Sequence, residues 1–413
     1  MSEMNRHGIT RGTVDYSAKD HYRTKVFPSP FYSRQEPLNH VKEWGRWADY
    51  LSPREYSCSD MEYFACRNTC AVFDLTPMTK YRITGSDALA YLDRLVTRDM
   101  QKVAVGRVAY AVWCDDAGQV IDDGTIFRLG DDDYRLCSQE RHLDWLLASA
   151  IGFDVEIRHE TDEVAGLAIQ GPTAFAILER MGLGSIRDIR PFGLAEVNFG
   201  GQPIVLSRTG FTGDLGYEAW MAPGVAGAFW DALFEAGSVT GIRAIGIDAL
   251  EIARIEAGFL TAGVDFVPAD TAVRPGKTRS PLELGLEWLV DFTKPVFNGR
   301  RALAEEWRNG SRWRLVRLDV EGNKAAKDAY LFADARGRKQ VGFVTSAAWS
   351  PVCKQSIALG TVDTGHGQPG DTLWAEIYYR RELHWERVMA RGTVIDGPFW
   401  NPERRRLTPP GLY

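Results

Sequence analysis

The chain has 413 residues, 45% of them hydrophobic and 25% charged, with a formal net charge of −6. That length supports two or three domains with their own cores, and the charge balance excludes the basic footprint of a nucleic-acid binder. No apolar run approaches the roughly 18–20 residues of a membrane span, and the N-terminus lacks the apolar core of a secretory signal. The expectation is a cytoplasmic protein without nucleic-acid or membrane partners. Its six cysteines have no disulfide-framework spacing. Cys66 and Cys70 are spaced to share a helix face, but no His or second Cys pair completes a tetrahedral set, so no metal is expected.

The first thirty-odd residues are polar and mixed in charge, and are expected to wrap the surface or fray. The stretch LNHVKEWGRWADYL, apolar at positions 41, 44, 47 and 51, predicts a helix. A second helix is predicted over Ser59–Asn68, capped by Ser59 or Asp60. CAVFDLTPMTKYRIT is strand-like, and SDALAYLDRLV predicts an amphipathic helix with Ser86 at its cap. RVAYAVWC and QVIDDGTIFRL predict two strands joined by a turn at Asp115-Asp116-Ala117-Gly118. HLDWLLASAI resumes a helix. A further α/β unit follows: a strand over 164–169, a helix in TAFAILERM, strands near 203–208 and 217–221, and a helix in AGAFWDALFEAG. Residues 258–281 predict a long loop with Pro268, Pro275 and Gly276, of a length usually reserved for function. After about Trp313 the short strands and Gly/Pro turns predict a small β-barrel or sandwich. The domain division expected is 1–58 as an extension with helices, 59–305 as the α/β body, and 306–413 as the β-domain.

Two segments carry unusual chemistry. In GQVIDDG, Asp122 and Asp123 sit within an apolar strand, where Asp is depleted. Alternation sends one outward and one inward, and an inward carboxylate needs a partner or ligand. Capping a turn or meeting an Arg is the plain structural alternative. In SRTGFTGDLGYE, Gly210, Gly213 and Gly216 let a backbone pack closely against something flat, or make tight turns. This order is neither a dinucleotide fingerprint nor a phosphate loop. Glu218, on the strand leaving it, has the chemistry to accept paired hydrogen bonds from a 2-amino-4-oxo pyrimidine edge. The alternative is a plain hairpin with a surface Glu.

The strings AVFDLTPM, AYAVWCDDAGQVIDD, AIQGPTA, SRTGFTGDLGYE, ARIEAG, PLELGLEWLVDFTKPVFNGRRAL and TSAAWSP…SIALG, in this order over about residues 60–400, resemble the folate-binding glycine-cleavage T-protein (aminomethyltransferase) family. The resemblance implies an α+β fold of three domains in a clover leaf, two α/β folate-binding domains plus a C-terminal small β-barrel, around bound tetrahydrofolate. It places Asp123 at the family's essential carboxylate and Glu218 at the pterin grip. Tyr110, Met78 and Phe211 fall on pocket-lining positions, Phe211 in place of the usual Tyr.

The departures point within the family. Pro77 stands where glycine-cleavage members carry His, Leu250 where they carry Arg, and Cys137 where an Asn is usual. Residues 263–281 are longer than the usual connection and add Arg274, Lys277 and Arg279, the expected lid or anion contacts. These features, with the ending PFWNP, resemble the demethylase branch. The implied activity is methyl transfer from a small methylated sulfonium, ammonium or methoxy compound to tetrahydrofolate, without a lipoyl carrier protein. Aminomethyl transfer in glycine cleavage and non-catalytic folate binding are the alternatives. His142 reads as an ordinary surface or capping residue, leaving no evident general acid for a methoxy donor.

Overall fold

The expectation for the first thirty-odd residues falls mostly outside what the computed structural model describes, namely residues 3–4, 10–11, 26–274 and 276–411. The short helix α1, Tyr32–Leu38, opens this region. The helix predicted over LNHVKEWGRWADYL is a β-hairpin instead, with β1, Glu43–Trp47, antiparallel to β2, Tyr50–Glu55. Trp and Tyr favour a pleated, half-buried surface, and Gly45 weakens a helix interior. Lys42 and Ala48, in the left-handed region at φ 58° and 48°, break the helical path at either end of β1.

Helix α2 spans Ser59–Asn68 as predicted, but its cap position is Cys58 and no side chain caps it. The strand-like run that follows divides at Leu75-Thr76-Pro77-Met78 into β3, Ala71–Asp74, and β4, Thr79–Thr84. These belong to different sheets, and Pro77, which cannot donate to a ladder, lies where the chain crosses. Helix α3, Ala88–Leu95, has Asp87 at its cap position with no side-chain capping bond, and Ser86 Oγ donates to Asp154 Oδ2 at 2.8 Å.

The predicted hairpin forms β5, Arg107–Cys114, and β6, Val120–Arg128, followed by β7, Asp133–Ser138, helix α4, Leu143–Ser149, and β8, Glu156–His159. The order β8-β4-β7-β6-β5 makes a five-stranded antiparallel sheet. One face packs on α3 and α4 through Tyr91, Leu92, Leu95 and Leu146.

A second sheet uses β9, Ala165–Gln170, β10, Leu194–Phe199, β11, Gln202–Ser207, β12, Gly216–Met221, and β13, Arg243–Ala244. Its order is β10-β11-β12-β9-β3-β13, six strands with only the β13–β3 pair parallel. Helices α5, Ala174–Leu178, and α6, Pro223–Gly237, cover its outer face. Its inner face meets the free face of the five-stranded sheet in a shared apolar cluster that includes Phe73, Phe127, Cys137, Ala168 and Trp220. Helix α7, Ile247–Ala257, packs into the same cluster through Ala249 and Ala253.

After α8, Arg300–Asn309, the chain forms a closed six-stranded barrel: β14, Trp313–Val320, β15, Tyr330–Phe332, β16, Gln340–Ser350, β17, Gln355–Asp363, β18, Thr372–Arg381, and β19, His384–Ile395. Closure decides between barrel and sandwich and leaves no unpaired edge. Most strands are longer than the turn spacing predicts. Among the described residues no helix is long and apolar enough to cross a membrane.

Candidate active site

The two aspartates of β6 face opposite sides of the five-stranded sheet. Asp122 is fully buried on the helix-covered side. Its Oδ2 lies 3.0 Å from His142 Nε2, its Oδ1 accepts from the Asp123 nitrogen at 2.8 Å, and Oδ2 also accepts from the Glu140 nitrogen at 3.3 Å. His142 is 4% exposed, so it is no surface residue. Its Nδ1 lies 2.8 Å from Asp270 Oδ2, which closes an Asp122–His142–Asp270 chain. Burial alone lowers the imidazole, but the hydrogen bonds and charges of Asp122 and Asp270 outweigh it and hold His142 up to about 9. The sequence showed the residue types; the pairing across 20 and 128 positions had no local signal.

Asp123 faces the inter-sheet side and is half-buried. Tyr110 Oη donates to its Oδ2 at 2.6 Å. Burial first, and then the charge of Asp122, push Asp123 up to about 7, against the opposing hydrogen bond from Tyr110. Register explains the contact: Tyr110 stands opposite Thr125, two residues beyond Asp123 and so on the same face. The same row continues through Cys137 to Lys80. Lys80 Nζ donates to the carbonyls of Thr76 and Met78 at 2.9 and 2.7 Å, fixing the crossing between the sheets.

Glu218 occupies the facing sheet, in the row Phe73–Ala168–Glu218–Ser207. It shares a strand face with Trp220, a member of the inter-sheet cluster. Its charge reaches across the gap: burial, with added repulsion from Glu160 and Glu218, pushes the Cys137 thiol up to about 12 despite Arg135 and Lys80. Glu218 is 8% exposed, and Thr209 Oγ1 donates to its Oε2 at 2.6 Å. Burial pushes it up to about 7, with hydrogen bonds from Thr209 and Ser207 only partly offsetting that. It is therefore not a surface Glu on a plain hairpin.

The glycine spacing serves the protein's own side chain. A Cβ on Gly210 or Gly216 would overlap Gln170. Gln170 Nε2 donates to the Thr209 and Tyr217 carbonyls at 3.2 and 3.1 Å, and its Oε1 accepts from Thr212 at 3.0 Å. The flat group the loop packs on is this amide, and the packing fixes Thr209 beside Glu218.

Of the five residues singled out from the sequence, Tyr110 and Asp123 are in direct contact. Glu218 lies on the opposing sheet, and Met78 packs half-buried against the shared cluster. Phe211 stacks on Phe259, with ring centroids 5.4 Å apart. Leu250 also packs against the cluster, and Pro77 is buried at the crossing, so both departures put apolar groups near the site. Trp288, for which the sequence raised no expectation, is 63% exposed with its ring 6.0 Å from Tyr110. Its string GLEWLVDF was the available signal.

The loop 263–281 is not a free lid. Asp265 accepts from Arg254 Nη1 and from the Thr345 and Ser346 hydroxyls, each at 2.6 Å, bonding the loop to α7 and the barrel. The Ala269 nitrogen donates to the Val120 carbonyl at 2.9 Å, and the Val120 nitrogen donates to the Arg279 carbonyl at 2.8 Å. Arg279 is 3% exposed, with its guanidinium over the Trp313 ring at 4.9 Å. Lys277 lies over Phe343 on the barrel.

A pterin fits what is present. Glu218 is a buried carboxylate that accepts a hydroxyl hydrogen bond from Thr209 and is pushed up by its burial. A planar edge with two N–H donors matches the paired acceptor oxygens of such a carboxylate. Glu218 and Tyr110 would hold such a group if it bound between the sheets, beside the apolar cluster that Met78 joins.

Residues 37–294 match the GCVT N-terminal domain, and residues 314–399 match the glycine cleavage T-protein C-terminal barrel domain. The chain is 36% identical over 358 residues to the trimethylamine-oxide aldolase of Ruegeria pomeroyi, which covers 84% of this chain but only 43% of that protein. It is 32% identical over 325 residues to the aminomethyltransferase of Halothermothrix orenii, covering 78% of this chain and 88% of that one. Its fold matches the glycine cleavage system aminomethyltransferase T of Bartonella henselae with a TM-score of 0.78. That match covers 91% of this chain and 99% of the other at 24% identity, a likeness of fold.

Proposed function

The chain belongs to the glycine-cleavage T-protein family of tetrahydrofolate-using one-carbon transferases, and from that premise we propose that it is a tetrahydrofolate-dependent demethylase acting on a small methylated sulfonium, ammonium or methoxy compound. The observation that carries this reading is the chemistry of the inter-sheet site. It keeps Asp123 with Tyr110, and Glu218 opposite, while Pro77 and Leu250 put apolar groups where glycine-cleavage members carry His and Arg. Similarity to a trimethylamine-oxide aldolase adds support for a methylated nitrogen compound, although this chain spans less than half that relative's length. We place the activity in the cytoplasm, with which six free cysteines accord.

Glu218 and Tyr110, with Met78 and Phe211, hold the folate; when bound, it supplies the nitrogen that accepts the methyl group. Asp123 presents its carboxylate where positive charge develops during transfer, a fixed-charge contribution. Tyr110 orients that carboxylate through its 2.6 Å bond. The apolar neighbours lower the local dielectric and strengthen the charge interaction. His142 is bonded on the far face through Asp122 and Asp270, out of reach as a general acid for the inter-sheet side. That favours an onium donor, whose leaving group departs neutral, over a methoxy donor, which needs a proton.

The second reading, aminomethyl transfer from a lipoyl carrier protein, is favoured by the 88% coverage of the Halothermothrix aminomethyltransferase. One experiment separates them. Purified protein and tetrahydrofolate are given either a panel of methylated onium and methoxy compounds or an aminomethyl-loaded carrier. Formation of 5-methyltetrahydrofolate, read by mass spectrometry, with a defined donor supports the demethylase. Rapid release of ammonia and methylenetetrahydrofolate from the carrier replaces it with the aminomethyltransferase. Folate binding with neither product leaves a non-catalytic binder.

A further inference from the structure

We propose that His142 is a positioning residue for Asp123, acting through Asp122 and tying the loop 263–281 to the carboxylate at the site. The inference rests on the reading of Asp123 as the carboxylate that serves the transfer.

The first link is the clamp. His142 Nε2 lies 3.0 Å from Asp122 Oδ2 and Nδ1 lies 2.8 Å from Asp270 Oδ2. With a carboxylate oxygen at each ring nitrogen, only the doubly protonated ring donates at both ends; a neutral ring turns a lone pair towards an acceptor. The surroundings leave little freedom to rotate. The His142 backbone nitrogen donates to Tyr81 Oη at 3.1 Å, and the ring meets Trp113 edge-on at 6.0 Å. Glu140 and Arg141 precede it and Asp144 follows on α4; Arg141 is drawn to Asp49 at 2.6 Å. The cation balances Asp122, which is wholly buried.

The second link joins Asp122 to Asp123. The two share a peptide, and the Asp123 nitrogen donates to Asp122 Oδ1 at 2.8 Å. Asp122 therefore acts on Asp123 both as a neighbouring charge and as the acceptor that fixes the strand where Asp123 leaves it. Altering His142 changes Asp122 in both respects.

The third link is the loop. Asp270 belongs to the same segment whose Ala269 and Arg279 bond the two backbone groups of Val120 at 2.9 and 2.8 Å, while Thr278 Oγ1 donates to Gln119 Oε1 at 2.8 Å. The loop thus grips β6 immediately before its two aspartates and reaches His142 from the outside. It works as a clamp.

The test uses the full chain, first without folate or methyl donor. Nitrogen-15 spectra of wild-type protein at about pH 7.5 are expected to show both His142 ring nitrogens protonated; a neutral ring overturns the proposal. Carbon-13 titration then follows the Asp123 carboxyl, assigned by its absence in Asp123→Asn. In His142→Asn its midpoint is expected to move by about half a pH unit or more. It moves upward if Asp122 stays ionised without its cation and downward if Asp122 takes up a proton, and either confirms the coupling. An unmoved midpoint overturns it. Should that variant not fold, Asp270→Asn leaves Asp122 its partner; the His142 midpoint should fall by about one pH unit and the Asp123 midpoint should move with it, and an Asp123 midpoint that stays unmoved overturns the proposal. With the methyl donor identified, kcat of the folded variant should drop about tenfold while KM for tetrahydrofolate stays within about threefold. If no donor is accepted, the demethylase reading fails, and the two spectroscopic midpoints still decide the coupling.

Discussion

The two faces of the five-stranded sheet carry one carboxylate each from adjacent residues, and their surroundings could hardly differ more. On the helix-covered face Asp122 is wholly buried, yet a histidine held by a second carboxylate balances it. On the inter-sheet face Asp123 keeps partial exposure and has a tyrosine hydroxyl, which carries no charge to balance it. A closed, compensated carboxylate contributes to the fold. An open, uncompensated one is costly to the fold and available to chemistry. The difference arises from what each face packs against, since the two residues are chemically identical.

The largest effect should come from breaking the closed face. Asp122→Ala removes the partner of a buried cation and the acceptor for the Asp123 nitrogen, and should destabilise the protein by about 3–5 kcal/mol at neutral pH, read by urea denaturation. A loss below about 1 kcal/mol would show the face to be less closed than its geometry indicates.

The open face should respond in rate rather than stability. Asp123→Asn should leave tetrahydrofolate affinity largely intact while lowering kcat by a hundred- to a thousand-fold, about 2.7–4 kcal/mol. Turnover within a few-fold of wild type would shift attention to Asp122. In the wild type, the rate should rise with pH through about 7, as burial and Asp122 place that carboxyl there.

Across the gap, Glu218→Gln should weaken tetrahydrofolate binding by about 1.5–3 kcal/mol, the scale of a hydrogen bond to a charged group. Unchanged affinity by calorimetry would take Glu218 out of the pocket.

The smallest effect sharpens the contrast by pH. Glu218 titrates near 7 when folded, against an ordinary 4.5. The folded state thus holds its proton longer, and the associated stability is complete below 4.5 and lost as pH rises through about 7. His142 behaves alike in a higher window, its contribution complete below 6.5 and lost as pH rises through about 9. Stability between pH 5 and 8 should therefore fall less steeply in Glu218→Gln than in wild type. Parallel slopes, read from denaturation midpoints, would mean that Glu218 titrates normally.

Much of this was legible in the residues themselves. Alternation in RVAYAVWC and QVIDDGTIFRL determined a hairpin with its aspartates on opposite faces, and helical spacing in SDALAYLDRLV determined α3, because both depend on local geometry. The ordered strings identified the family. Local pattern misled where two periods compete: LNHVKEWGRWADYL has helical spacing, yet its aromatics and Gly45 settle as a hairpin. Only the tertiary structure decided what each functional group faces. It set Glu218 across from the row of Tyr110 and Cys137, turned the glycine loop onto Gln170, and buried His142 between Asp122 and Asp270. The sequence period specifies which side of a strand a residue takes. The charge it meets there, and hence its pKa and its use, depends on partners brought up by packing from distant parts of the chain.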